Sequence, residues 1–169
     1  MSAASAALVT ATVGNGLVAG LFLGFTCAVM PGLRRVDDAA FVATMRSVNR
    51  AILNPLFGVV LVGTPVATVA AVVLGWTRVD DAGGADGAGS ALPWLVAGLA
   101  GTVLTLAITF AVNVPLNERL DRAPDDDDRL LAAARSAFER PWTRWNAWRT
   151  LTATAATALL AIGGLAARG

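Results

Sequence analysis

The sequence predicts an all-α polytopic membrane protein: a four-transmembrane-helix bundle with two short interfacial amphipathic helices. Three observations predict it. Of 169 residues, 56% are hydrophobic and only 15% charged, with a mean hydropathy of +0.63. That is more apolar side chain than a soluble domain of this size can bury. The apolar residues gather in four runs, at about 4–31, 51–76, 92–113 and 145–166. At about 1.5 Å per residue, each is long enough to cross a hydrocarbon core of about 30 Å. The segments between them are polar and rich in Arg. Open strands leave backbone groups unpaired in lipid, so the spans must be helices. The whole chain reads as one membrane domain in contact with a lipid bilayer.

Composition also excludes chemistry. Cys27 is the sole cysteine and His is absent, so neither an internal disulfide nor a thiolate or imidazole metal site is expected. Cys27 lies in an apolar run and reads as a packed thiol. The net charge of +1 gives no basis for nucleic-acid binding. No metal and no cofactor are expected.

The first run is too long for a signal-peptide core. Gly16, Gly20 and Gly24 recur every fourth residue, which predicts a small-residue face for close helix packing. Asn15, beside that face at mid-membrane depth, suits an interhelical hydrogen bond, with a ligand contact as the alternative. Pro31-Gly32 ends the helix. From Asp37 or Asp38, Phe41, Met45, Val48 and Ile52 form an apolar stripe, with Arg46, Asn49 and Arg50 on another face. This predicts the first interfacial helix.

The second run opens at Asn54-Pro55, carries Pro65, where a kink is expected with Thr64 bonding a freed carbonyl, and ends at the interface residue Trp76. Residues 77–91, rich in Gly, Ala and Asp, predict a flexible loop. The third run ends in Asn113-Val-Pro-Leu-Asn117-Glu118. Asn113 and Asn117 share a helix face unless Pro115 bends the chain between them. The acidic run Asp125–Asp128 suits a helix N-terminus. Leu130, Leu131, Ala134, Ala137 and Phe138 then form the second amphipathic stripe. Trp142, Trp145, Asn146 and Arg149 lie at i, i+3, i+4 and i+7, one face at the start of the fourth run.

Eleven of the thirteen Arg follow the first and third runs. The positive-inside rule places those segments in the cytoplasm and both termini outside. The chain is thus expected to be a multi-pass protein of the cell membrane. Asn49, Arg50 and Asn54, then Asn113 and Asn117, then Trp142, Trp145, Asn146 and Arg149 all fall at the cytoplasmic boundary. Taken singly, such Trp and Arg are ordinary boundary anchors. Together with several asparagines they describe a polar pocket with flat walls. It suits a planar, lipophilic, weakly acidic aromatic.

Asn49-Arg50 with Pro55 after it, Asn113-Val-Pro-Leu-Asn117, and Trp145-Asn146 followed by Arg149 resemble the small integral-membrane family that includes the anthrone oxygenases. The resemblance covers nearly the whole chain. It implies a four-span bundle and, for some members, oxidation of an anthrone by O₂ without metal or flavin. Arg149, Asn146, Asn113 and Glu118 are then the catalytic candidates, with Trp145, Trp142, Asn49, Arg50 and Asn117 binding substrate. Arg149 or Arg50 would hold an oxyanion, Asn146 or Asn113 would donate hydrogen bonds, Trp145 would stack, and Glu118 would be the base. The alternatives are a non-catalytic binder of lipophilic aromatics and a structural or partner-binding membrane component.

Overall fold

The computed structural model describes residues 2–81 and 88–167. Among them there are five helices and no strand. Helix α1 covers Ala3–Leu33, α2 Asp38–Ala51, α3 Pro55–Asp81, α4 residues 88–122 and α5 Asp128–Ala166. All except α2 are long and apolar enough to cross a membrane. The predicted loop at 77–91 shrinks from both sides, because α3 runs on to Asp81 and α4 resumes at Ala88. Its centre, 82–87, lies outside the described residues, as does Arg168.

The spans close a ring: α1 packs on α3 and α5, and α4 packs on the same two. Gly98 and Gly101 of α4 bring α5 close, since a Cβ on Gly101 would lie 3.1 Å from the Ala156 Cβ. The glycine face expected on α1 is not where packing is tight. A Cβ at Gly20 or Gly24 would meet nothing within 4 Å. The close approach on α1 is Gly14, where a Cβ would overlap the Thr64 hydroxyl and sit 3.1 Å from its Cβ. Of the expected stripe only Gly16 meets a neighbour, where a Cβ would lie an ordinary 3.7 Å from Thr157 of α5, so the tight packing of α1 lies at Gly14 rather than along the stripe. Asn15 ties three spans together: Nδ2 donates to Thr68 Oγ1 (3.3 Å) and Oδ1 accepts from Thr102 Oγ1 (3.0 Å). Cys27 is exposed rather than packed.

The first and third spans are interrupted in the same way. Each has one π-helical turn, Phe25–Val29 and Thr109–Asn113, beginning six residues ahead of Pro31 and Pro115. A proline lacks its N–H, and its ring crowds the carbonyl four residues back, so the preceding turn widens. Asn113 and Asn117 therefore belong to one continuous helix that widens instead of breaking. In α3 the helix also continues through Pro65, and Thr64 bonds the Val60 carbonyl rather than one that Pro65 leaves free.

The two amphipathic segments form a layer across the Arg-rich end. Asp37 caps α2 by accepting from Ala40 N at 2.7 Å. Asp127 caps α5, which carries the second amphipathic stripe straight into the fourth span instead of ending it as a separate helix. Phe41 and Phe138 meet at the centre of this layer, with Met30, Met45 and Leu120 around them. Each segment sends an Arg to the end of a span from the other half of the chain. Arg46 donates to the Leu120 and Ala123 carbonyls and to Asp125. Arg135 donates to the Val36 and Leu33 carbonyls and to Asp38. These bonds add donors to carbonyls at and just beyond the helix ends, where Leu120 and Leu33 each also accept a local backbone N–H. Arg46, placed by periodicity on the polar face with Asn49 and Arg50, is buried here.

Candidate functional site

Asn146 organises the site. The π turn of α1 begins just beyond Phe22, and the Phe22 carbonyl accepts from Asn146 Nδ2 at 2.9 Å. Nδ2 also donates to Thr26 Oγ1 at 2.9 Å. With both donors engaged, Asn146 Oδ1 faces Arg149 and accepts from its Nη2 at 2.8 Å. Both Asn146 donors are thus engaged within the bundle, and its side-chain oxygen holds Arg149.

Arg149 is 6% exposed and lies over two rings, 4.1 Å from the Phe22 centroid and 5.5 Å from that of Trp142. Its Nε has no hydrogen-bond partner, and among the described residues no carboxylate pairs with it. The aromatic faces return about 0.5–2 kcal/mol each. Burying a cation costs several kcal/mol, so the residue is left under-compensated.

A cavity of about 290 Å³ opens beside it at the Arg-rich end of the bundle. Cavities that take small organic ligands start at about this size. Its wall is mainly apolar and aromatic: Phe22 and Phe25 from α1, Phe57 and Leu61 from α3, Phe110 and Val114 from α4. Its polar atoms come from Thr109, Asn49, Arg50, Asn117, Glu118, Asp121 and Arg149. Asn49 Nδ2 is buried and has no partner. Trp142 forms a wall between Phe138 and Phe25, and donates from Nε1 to Asn117 Oδ1 at 2.7 Å.

Six of the nine sequence candidates thus meet on one cavity: Asn49, Arg50, Asn117, Glu118, Trp142 and Arg149. Asn146 stands directly behind Arg149. Asn113 and Trp145 do not line the cavity. Asn113 is fully buried and donates to the Trp142 carbonyl at 3.3 Å, joining α4 to α5. Trp145 is half-buried, at the edge of the face that Trp142, Asn146 and Arg149 share, and does not reach the cavity. Glu118 is on the rim, exposed and paired with Arg122. Arg50 and Asp121 pair across the rim at 3.4 Å. Sequence reasoning missed the aromatic wall. Phe22, Phe25, Phe57 and Phe110 sit at the depth of the asparagines, but depth was compared only for polar residues and Trp.

A larger cavity, about 360 Å³, lies at the opposite end among Leu8, Leu95, Leu160 and small residues. Among the described residues no charged side chain lines it, and its polar side chains are Ser5 and Thr12, whose hydroxyls bond within α1 and its N-cap.

No curated protein and no solved structure matches the chain significantly. The model of the anthrone oxygenase family matches residues 54–159, well over half of the chain. That stretch includes α3, α4 and the part of α5 that carries Trp142, Asn146 and Arg149. A four-span bundle and a family match over most of it lead to one conclusion: this chain belongs to the anthrone oxygenase family.

Proposed function

We propose that the cavity binds a lipophilic polycyclic phenol or anthrone through its oxyanion, and that the chain promotes oxidation of this molecule by O₂. The observation that carries this reading is Arg149: a buried cation with no carboxylate partner among the described residues, on the wall of a mainly apolar and aromatic cavity. An anionic ring oxygen on Arg149 would supply the missing counter-charge, while the rings meet Phe22, Phe25 and Trp142.

In this reading an anthrone loses a methylene proton to give an enolate whose oxygen rests on Arg149. Asn49 Nδ2 is a further free donor for it. Stabilising the enolate lowers the cost of deprotonation, and excluding water strengthens that effect. O₂ adds at the ring carbon to give a hydroperoxide, which loses water. One oxygen atom becomes the new carbonyl; the other leaves as water with the two methylene hydrogens. The proton is first taken by Glu118 on the rim. We also place the Arg-rich end in the cytoplasm, with both termini outside, following the Arg distribution.

The exposed, ion-paired state of Glu118 favours a second reading, in which the cavity binds such an aromatic without turning it over. The purified chain in lipid nanodiscs, mixed with anthrone under measured O₂, separates the two. The oxygenase reading expects uptake of one O₂ per anthrone, above the spontaneous rate and saturable in anthrone. Saturable binding with O₂ uptake only at the spontaneous rate would leave the binder. Neither binding nor uptake would refute both.

A further inference from the structure

We propose that the cavity beside Arg149 is reached from the lipid, through an apolar portal between α3 and α4 framed by Leu53, Phe57, Leu61 and Phe110. Its ligand is then a molecule dissolved in the bilayer rather than in water. The proposal rests on reading the cavity as a ligand site.

The mouth of a cavity is where its lining residues are exposed. Here there are two such edges. One is apolar: Leu53 is 81% exposed and Phe110 57%, and Phe57 and Leu61 continue it inward. The neighbouring outer face of α3, with Leu56, Val59 and Val62 exposed, faces hydrocarbon in a membrane. The other edge is charged. Arg50 of α2 and Asp121 of α4 pair across it, and Glu118 is held by Arg122. A polycyclic aromatic crossing the charged edge would strip water from these groups without replacing their hydrogen bonds. Crossing the apolar edge exchanges one hydrocarbon contact for another. The portal is also bounded. Toward the far end α3 and α4 close up, with a Cβ on Gly75 only 2.9 Å from Leu95, and Asn15 spans Thr68 and Thr102. The slot therefore leads to the cavity and no farther.

Trp142 lines the cavity and is 4% exposed, which makes it a reporter of what reaches the interior. A chain with Trp76, Trp94, Trp145 and Trp148 changed to Phe keeps Trp142 as its sole indole. In vesicles containing a lipid brominated in the upper acyl chain, Trp142 should be quenched several-fold more than by aqueous iodide. Adding Cys27→Ser, Phe57→Cys and Phe110→Cys and joining the two new thiols with a reducible linker should remove most of the lipid quenching, and reductant should restore it. Iodide quenching that exceeds lipid quenching, or lipid quenching unchanged by the linker, would overturn the portal. Anthrone binding to the unsubstituted chain is measured alongside. If anthrone fails to bind while the quenching pattern holds, the ligand reading fails and the portal stands. If anthrone associates at the same rate with the linker in place, the portal falls and the ligand reading stands.

Discussion

Replacing Arg149 by Met separates a ligand site from a structural anchor, because the two roles give opposite stability outcomes. The substitution keeps an unbranched stem against Phe22 and Trp142 and removes the charge. It gives up two cation–π contacts, about 0.5–2 kcal/mol each, and leaves Asn146 Oδ1 without its donor, about 1–3 kcal/mol. Against this, it ends the desolvation of an unpaired buried cation, worth several kcal/mol, and removes the bare Nε. These terms nearly cancel, so stability should stay within about 1–2 kcal/mol of the parent chain. Breaking a buried ion pair would instead cost about 3–5 kcal/mol. Ligand affinity should move differently. Loss of one charge-assisted hydrogen bond, about 1.5–3 kcal/mol, corresponds to about 10–100-fold weaker anthrone binding. Arg149→Lys should fall between, since it keeps the charge but not the planar fork. Thermal unfolding in detergent gives the first quantity, and titration with anthrone in nanodiscs the second. A Met variant that unfolds several kcal/mol more easily would make Arg149 a structural cation. A Met variant that binds anthrone like the parent would refute the site.

Gly14→Val should destabilise the bundle by about 1–3 kcal/mol in thermal melts, since its Cβ runs into Thr64, whereas Gly20→Ala should leave the melt unchanged; equal effects would mean that α1 packs by another face. Arg46→Met should cost about 2–4 kcal/mol by removing donors to two carbonyls of the α4 end and to Asp125, and Arg46→Lys should recover only part of it; full rescue by Lys would show that charge alone matters. A reporter fused after the last residue should read as extracytoplasmic, following the eleven Arg placed after the first and third runs, and a cytoplasmic signal would invert the proposed sidedness.

The sequence by itself determined the class and the level of the candidate site. Four apolar runs can do little in water, and Arg, Asn and Trp at the ends of three of them share one depth because helix rise converts sequence position into depth. Depth alone brought six of nine candidates onto one cavity. Rotation about each helix axis was not legible, because in a membrane lipid and protein both accept apolar faces and periodicity loses its contrast. For that reason Gly14 rather than Gly20 meets α3, Arg46 turns inward, and Trp145, at the edge of its face, misses the cavity that Arg149 lines. Two further features depend on contacts between distant segments. The π turns ahead of Pro31 and Pro115 set where Asn146 and Asn113 find carbonyls, on Phe22 and Trp142. The aromatic wall gathers Phe22, Phe25, Phe57 and Phe110 from three helices. A side chain's depth is fixed by its place along its own helix, but its neighbours are fixed by how the other helices turn toward it, and only the packed bundle decides that.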